Sequence, residues 1–338
     1  TLDLQEGGTY TFDVSDSTMD SHPFVIGTAA NSSEYSTGVT YKLDGVTKTY
    51  SQYTSGFSAA TTRQLIITVP ASAPALYYWC SQHSGMGGAI NTNTTTGSSN
   101  FDGSVQTKVT TNSTAGFSII NFTGTGSGGA TIGHGLGETP ACIWIVNMND
   151  SSQSARGVYH HKAFDTASNP NIMYLNNNSA EADDTNVFHS TTTFDSSKFS
   201  VGDYNGSNGS GDSIMAYAWA QKTGFSHFGQ YTGNGNAWGP FVHCGFKPEF
   251  VIIRNRAGDD WRMISSGGNS RNDENNDIDQ NLYAQSNSAE NSTSIDFHSN
   301  GFKILNSSAG VNTNGQAYIF MAWGQTIVGS NNMPATAR

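Results

Sequence analysis

Short runs of alternating apolar and polar residues recur along the chain, and no segment shows a sustained 3.6-residue apolar period bounded by helix caps. In the N-terminal part, residues 10–14 alternate, residues 65–69 are mostly β-branched, and residues 76–79 are apolar and aromatic. Pro, Gly and Ser separate these runs, as they do in turns between strands. The pattern therefore predicts an all-β fold of antiparallel β-sandwiches with negligible helix.

The remainder of the chain contains a tandem duplication. The tripeptide Gly-Phe-Ser at 116–118 recurs at 224–226, and Phe-His-Ser at 188–190 recurs at 297–299. The register between the copies is 108 to 109 residues, and it drops to 104 between Trp219 and Trp323, so the second copy is shorter in one late loop. Each copy has the size of a domain, and we expect the two to share one β-topology with these tryptophans at equivalent core positions.

Three metal-ligand types follow one another at steps of three residues in Cys80, His83 and Met86. A thiolate, an imidazole and a thioether suit copper, and a second imidazole would complete a trigonal site of two His and one Cys with a weak axial Met. His22 is the only other histidine in the first ninety residues, and a β-sandwich can bring position 22 beside position 80. Zinc fits less well because its sites rarely use thioether sulfur.

This loop, with its preceding aromatic strand, resembles the ligand loop of the cupredoxins, which are small blue-copper β-sandwiches. The resemblance implies that Cys80, His83 and Met86 bind copper from the loop and that His22 supplies the first imidazole. The chain departs from the family after His22, where Pro23 stands in place of the usual small polar residue. Two alternatives stay open: a site that has lost its metal, and a Cys80 that serves only as a small buried side chain.

Together these features predict three β-sandwiches in one chain. The segment rich in Asn, Thr, Ser and Gly that begins at about residue 91 is interpreted as a linker. The predicted organisation is a cupredoxin-like domain at 1–90, a linker at 91–115, a first β-module at 116–223, and a second, homologous β-module with a C-terminal tail at 224–338.

Composition and charge narrow the function. The net charge is −11 with only 15 Lys and Arg, which leaves no basic surface for phosphates and argues against a nucleic-acid partner. No apolar run is long enough for a membrane helix, so no membrane insertion is expected. Three cysteines are too few for a disulfide framework. No nucleophile elbow, phosphate loop or zinc-protease motif is present, and we expect a protein that is not an enzyme.

The duplicated part resembles modules of tail-fibre or receptor-binding proteins of tailed bacteriophages. The resemblance rests on stretches such as Thr-Ile-Gly-His-Gly-Leu-Gly at 131–137, Gly-Phe-Lys-Pro at 245–248 and Ser-Asn-Gly-Phe-Lys at 299–303. Proteins of this type also carry an upstream Cys-x-x-His-x-Gly-Met-Gly-Gly loop, which matches 80–88. The resemblance implies a structural protein of the virion, hence an extracellular particle, that attaches to the host surface and forms homo-oligomers, with a trimer favoured.

The partners expected from this resemblance are other virion proteins and a glycan or protein receptor on the host surface. Loops rich in Asn, Gly and Ser with interspersed aromatic residues, such as Trp238, Trp261 and Tyr283, are suited to hydrogen bonding and stacking on glycans. The alternative function is a secreted or surface copper-binding redox protein whose β-modules bind carbohydrate or a partner.

Overall fold

The computed structural model describes residues 1–92, 97–150, 158–161, 165–166, 169–184, 186–189, 194–266 and 278–326. The chain divides into two compact units, the first formed by residues 1–99 and 108–110 and the second by residues 100–107 and 111–338. The chain is all-β, as the sequence predicted. The predicted linker at 91–115 contains two strands in its described part, and the predicted domain boundaries themselves stay a prediction.

The first unit is a sandwich of two sheets. One sheet has the order β1-β9-β8-β3-β4 and the other the order β2-β7-β5-β6. Side chains from both sheets meet in one core, which includes Val25, Leu65, Ile67 and Leu76, each fully buried. Its strands are β1 Leu2–Asp3, β2 Thr9–Asp13, β3 Phe24–Ala29, β4 Ser32–Glu34, β5 Val39–Leu43, β6 Val46–Lys48, β7 Arg63–Thr68, β8 Leu76–Cys80 and β9 Gly87–Asn91.

The expectation of negligible helix was wrong for one segment of this unit. Helix α1 spans Tyr50–Gly56 and continues into a 3-10 helix at Phe57–Ala59. Thr49 and Gln52 form a reciprocal capping box, which satisfies the N–H groups of these two residues at the start of the helix. Tyr53 and Phe57, four residues apart, are both fully buried in the core, so the helix closes one side of it.

The second unit contains both copies of the duplication. The division between the two units falls within β10 Ser98–Asn100 and β11 Thr107–Asn112. The first copy has the strands β12 Phe117–Thr123, β13 Ala130–Gly133, β14 Cys142–Asn147, β15 Val158–His161, β16 Asp165–Thr166, β17 Asn169–Tyr174, β18 Ala182–Asp183, β19 Lys198–Val201 and β20 Ser213–Trp219, with the short helix α2 Asn205–Asn208. The second copy has the strands β21 Ser226–Thr232, β22 Phe241–His243, β23 Phe246–Asn255, β24 Arg262–Ser265, β25 Ile278–Tyr283, β26 Asn291–His298, β27 Gly301–Ile304 and β28 Ala317–Thr326, with α3 Ala309–Asn312.

The two copies share one topology, as the duplication predicted. The first contains the strand order β12-β20-β14-β15-β17, and the second contains β21-β28-β23-β24-β25. The registers correspond as well: Trp219 pairs with Phe117 and with Cys142, while Trp323 pairs with Ser226 and Phe250. The two tryptophans therefore occupy equivalent positions of equivalent strands, but they lie at the border of a core, not within it as the sequence predicted.

The same two tryptophans join the copies. Both are half-buried and pack edge to face with ring centroids 6.2 Å apart. They border a hydrophobic cluster drawn from both copies, in which Cys142 Sγ lies 3.7 Å from Met321 Sδ. Trp261 of the second copy is fully buried there and donates from Nε1 to the carbonyl of Tyr174 at 2.9 Å. The copies consequently share a core and form one unit.

A buried asparagine holds the loops of each copy. Asn208 and Asn312 are both fully buried, and each accepts a 2.8 Å hydrogen bond from a backbone N–H through its carbonyl oxygen. Each also donates from Nδ2 to two backbone carbonyls at 2.7 to 3.0 Å. The backbone partners are Thr125, Ser127 and Gly202 in the first copy, and Asn234, Asn236 and Asn306 in the second.

The strand registers change one correspondence between the copies, which concerns the buried residue His134. Sequence spacing pairs His134 with His243, but the strand registers pair His134 with Cys244, because His134 N–H donates to Ser197 O and Cys244 N–H donates to Asn300 O. His134 is fully buried, whereas His243 is exposed. One residue is therefore inserted in the loop before the second strand of the later copy.

No helix in the described part of the chain could cross a bilayer, since the longest, α1, has seven residues.

Replacing the buried asparagine of the second copy should destabilise the second unit. Asn312→Ala leaves one backbone N–H and two carbonyls without partners, and at about 1 kcal/mol for each lost hydrogen bond the free energy of unfolding should fall by about 3 kcal/mol. Urea unfolding followed by tryptophan fluorescence measures this. The exposed Asn287 provides the control, because Asn287→Ala should change the stability by less than about 0.5 kcal/mol. Equal stabilities of the two variants would contradict the role of Asn312.

The stability of the second unit should also fall at acid pH through His134. Its Nδ1 accepts from Leu136 N–H at 3.1 Å while Nε2 lies 3.1 Å from Asp195 O, so the neutral imidazole satisfies both contacts. Burial lowers the pKa of His134 below its ordinary 6.5. The unfolded chain therefore binds the proton first, and stability is lost as the pH falls below 6.5.

The variant His134→Cys carries the residue found at this position in the second copy. It should lose less stability than the wild type between neutral and mildly acidic pH, in urea unfolding at both values. An unchanged pH dependence would rule out His134 as the titrating group.

Candidate metal centre

The pairing of β3 with β8 brings the two distant parts of the centre together. The strands are antiparallel, with Phe24 opposite Cys80 and Val25 opposite Trp79. The pairing extends past the strand ends, since Ser81 N–H donates to Pro23 O at 3.0 Å. His22 lies just before β3 and Cys80 ends β8, so the register places them side by side.

A tight turn holds His22 in place. A 3-10 helix at Ser17–Met19 is capped by the carboxylate of Asp16, and His22 N–H donates to Met19 O at 2.8 Å. The turn is fastened to the sandwich by Arg63, which is 2% exposed and whose Nη2 lies 2.6 Å from Asp20 Oδ1. The backbone before His22 is thereby fixed to β7.

The loop between β8 and β9 carries the other candidate ligands. Cys80 N–H donates to Met86 O at 2.9 Å, which closes the loop into the end of a hairpin. Gly85 has φ +82°, a left-handed conformation that favours glycine. A Cβ on Gly87 would lie 2.2 Å from Tyr78 O, so only glycine permits this close approach of β9 to β8.

Three predicted ligands converge. Cys80 Sγ lies 3.7 Å from His22 Nδ1 and 3.4 Å from His83 Nδ1, and the ligand atoms of the three residues all lie within 4.8 Å of one another. Two ligands that share one ion through bonds of about 2.0 to 2.3 Å at roughly trigonal or tetrahedral angles lie about 3.5 Å apart. The spacing of the sulfur and the two imidazole nitrogens fits a single small ion.

A cavity of about 230 Å³ adjoins the cluster, and its walls include His22 and Cys80. Met86 also lines it, so the fourth predicted ligand shares the cavity with His22 and Cys80, although it is 45% exposed. The remaining walls are Met19, Phe24, Tyr78, Trp79 and Gly87. Cys80 is 7% exposed, while His83 is exposed, so the cluster lies at the edge of the sandwich.

Sequence reasoning selected His22, Cys80 and His83 correctly as neighbours, and it missed Met19 and Arg63. Met19 precedes His22 by three residues, and this spacing repeats the one that drew attention to the loop. Arg63 gave no local signal, because its contact with Asp20 joins residues 43 positions apart in the chain.

The other two cysteines have structural surroundings. Cys142 is fully buried in the cluster shared by the two copies, and Cys244 is 6% exposed in the core of the second copy. Burial raises the pKa of the Cys244 thiol to about 12, so it stays protonated at neutral pH and is a poor metal ligand. Within the described residues, neither cysteine belongs to a disulfide.

The aromatic residues expected on glycan-binding loops differ in exposure. Trp261 is fully buried, so the expectation was wrong for it. Tyr283 is half-buried and its ring lies beneath the guanidinium of Arg262 at 5.3 Å. Trp238, in contrast, is 77% exposed.

The comparison with known families assigns the chain. Residues 51–326 match the family described as Domain of unknown function (DUF7483), and the chain belongs to this family. The matched region includes Cys80, His83 and Met86 and begins after His22. No curated protein and no solved structure matches the chain.

Proposed function

We propose that the first unit binds a copper ion through His22, Cys80 and His83, with the thioether of Met86 as a weak fourth ligand. The observation that carries the proposal is the approach of both imidazole Nδ1 atoms to Cys80 Sγ, at 3.7 and 3.4 Å. Two imidazoles and a thiolate with a nearby thioether form the ligand set that copper prefers among first-row metals.

Zinc is less well served by the same residues. In the described residues the cluster contains three His, Cys or acidic side chains, whereas a structural zinc site uses four. The group available for the fourth position is a thioether, which zinc rarely binds. A bound copper ion would supply one-electron redox chemistry, and the exposed His83 would leave it close to solvent.

Copper titration of the whole chain tests the proposal. Cu²⁺ should give an intense visible thiolate-to-copper charge-transfer absorption at one equivalent, and it should raise the thermal unfolding temperature because the site exists only in the folded chain. Cys80→Ser should abolish the absorption, and His22→Ala should weaken copper binding by at least about tenfold.

Cys244→Ala is the matched control, since Cys244 is a buried free cysteine of the second unit and should leave the absorption unchanged. A wild-type chain that binds no copper, or a Cys80→Ser variant with the wild-type absorption, would contradict a copper site at this position.

A second candidate function is attachment to a host surface as a structural component of a bacteriophage virion. In the virion the chain would contact other virion proteins and form homo-oligomers, with a trimer favoured. The resemblance of the repeated modules supports it, and so does a rigid loop that exposes an aromatic residue. Trp238 is 77% exposed in a turn whose counterpart in the first copy, between residues 127 and 132, has no aromatic residue.

Three hydrogen bonds fix the backbone of this turn. Gly239 N–H donates to Ile304 O at 2.9 Å, Ile304 N–H donates to Pro240 O at 3.1 Å, and Asn234 Nδ2 donates to Trp238 O at 3.2 Å. A preorganised aromatic ring among neutral amides is suited to a glycan, since the ring can stack on a sugar face while the amides bond its hydroxyls.

Trp238→Ala should weaken binding of the intact chain to host-surface polysaccharide by about tenfold, equal to ~1.4 kcal/mol. Phe101→Ala, which removes an aromatic residue that is 57% exposed, should have no effect. Binding can be measured by biolayer interferometry on purified polysaccharide. Equal binding of Trp238→Ala and wild type would exclude a role of this loop in glycan binding. The place in the virion is tested separately by negative-stain microscopy with an antibody against the chain. Phage particles that stay unlabelled would show that the chain is not a virion component.

A further inference from the structure

A second thioether lies beside the metal cluster, in addition to the one that the cupredoxin resemblance supplies. Met19 lines the same cavity as His22, Cys80 and Met86. Met19 is half-buried, whereas Met86 is 45% exposed. The less exposed of the two thioether side chains is therefore the one outside the ligand loop.

The backbone keeps Met19 in a fixed relation to His22. The carbonyl of Met19 accepts the N–H of His22 at 2.8 Å, so the two residues belong to one closed turn. Asp16 caps the start of this turn, and the ion pair between Arg63 and Asp20 holds its end. The backbone of a ligand on such a turn loses little conformational freedom when the side chain binds a metal.

The chemistry of the cavity favours a soft ion of low charge. Its sulfur-bearing walls are Met19, Cys80 and Met86, and the other side chains are the imidazole of His22 and three aromatic rings. No carboxylate lines it among the described residues. Thiolate and thioether ligands select Cu(I), and an apolar cavity without carboxylates disfavours the higher charge of Cu(II).

We propose that Met19 is a copper ligand and that, together with Met86, it makes the centre selective for Cu(I). This inference rests on the proposed copper function and assigns one further ligand and an oxidation state to the same site.

Anaerobic competition between the whole chain and bicinchoninate for Cu(I) measures the affinity. Met19→Leu, which nearly preserves side-chain volume, should raise the Cu(I) dissociation constant by at least about tenfold and change the Cu(II) dissociation constant much less. Met148→Leu is the matched control, because Met148 is a 55% exposed methionine of the second unit and should bind Cu(I) as the wild type does.

X-ray absorption of the Cu(I)-loaded chain provides a readout that a purely structural role would not change. The number of sulfur ligands for each copper ion should be lower by one in Met19→Leu than in the wild type. Circular dichroism and thermal unfolding of the metal-free variants should match the wild type, which separates loss of a ligand from loss of the fold.

Failure of the Met19 assignment is distinguishable from failure of the copper site. A wild type that binds copper in either oxidation state, with Met19→Leu unchanged in sulfur number and in Cu(I) affinity, would overturn the role of Met19 and leave the copper site intact. Sensitivity to Met86→Leu alone would likewise overturn the role of Met19. A wild type that binds neither Cu(I) nor Cu(II) would overturn the copper function and this inference with it.

Discussion

The antiparallel register between β3 and β8 is the constraint on which the candidate metal centre depends. It sets Phe24 opposite Cys80, and from that pairing follow the position of His22, the bond from Ser81 to Pro23 and the place of the turn that carries Met19. A slip of one residue would turn Cys80 to the other face of the sheet and separate it from His22. The core opposes such a slip, because Leu76 of β8 is fully buried and the slip would turn its side chain out of the core.

How much of the centre the sequence predicts depends on the range of each contact. Cys80, His83 and Met86 are close in the chain, and a hairpin loop brings them together, so their spacing was informative. The sequence placed His22 beside Cys80 only on the assumption of a β-sandwich. The two residues are 58 positions apart in the chain, and they meet only because β3 pairs with β8. Met19 and α1 were missed because a single turn has no apolar period. Their signals, an Asp at a 3-10 cap and a Thr-Gln capping box, are short and common.

The duplication shows that similar sequence can acquire different surroundings. The segments 178–181 and 287–290 have the same residues, yet Glu181 is bound by Arg256 of the second copy while Glu290 is exposed. The difference arises because the second copy packs on the first: Arg254 is fully buried, donates to the carbonyls of residues 177 and 179, and stacks on Trp261. Comparison of the two copies in sequence found the repeat. It could not show that the copies contact each other through residues that are not equivalent, such as Glu181 of the first and Arg256 of the second.

The two units rely on different kinds of polar interaction. In the second unit, buried asparagines such as Asn208 and Asn312 hold the long loops through neutral amides, which neither titrate nor respond strongly to salt. These loops can therefore be long and rich in polar residues while their backbone stays fixed. A fixed backbone keeps an exposed ring such as Trp238 from folding back onto the protein surface. In the first unit, the proposed copper site would bind its ion through a thiolate and neutral imidazoles, so its affinity would depend on pH and on the oxidation state of the metal. Under the proposed copper function, redox chemistry lies at the loop and turn around Cys80, whereas the buried asparagines that hold the loops of the second unit neither titrate nor change oxidation state.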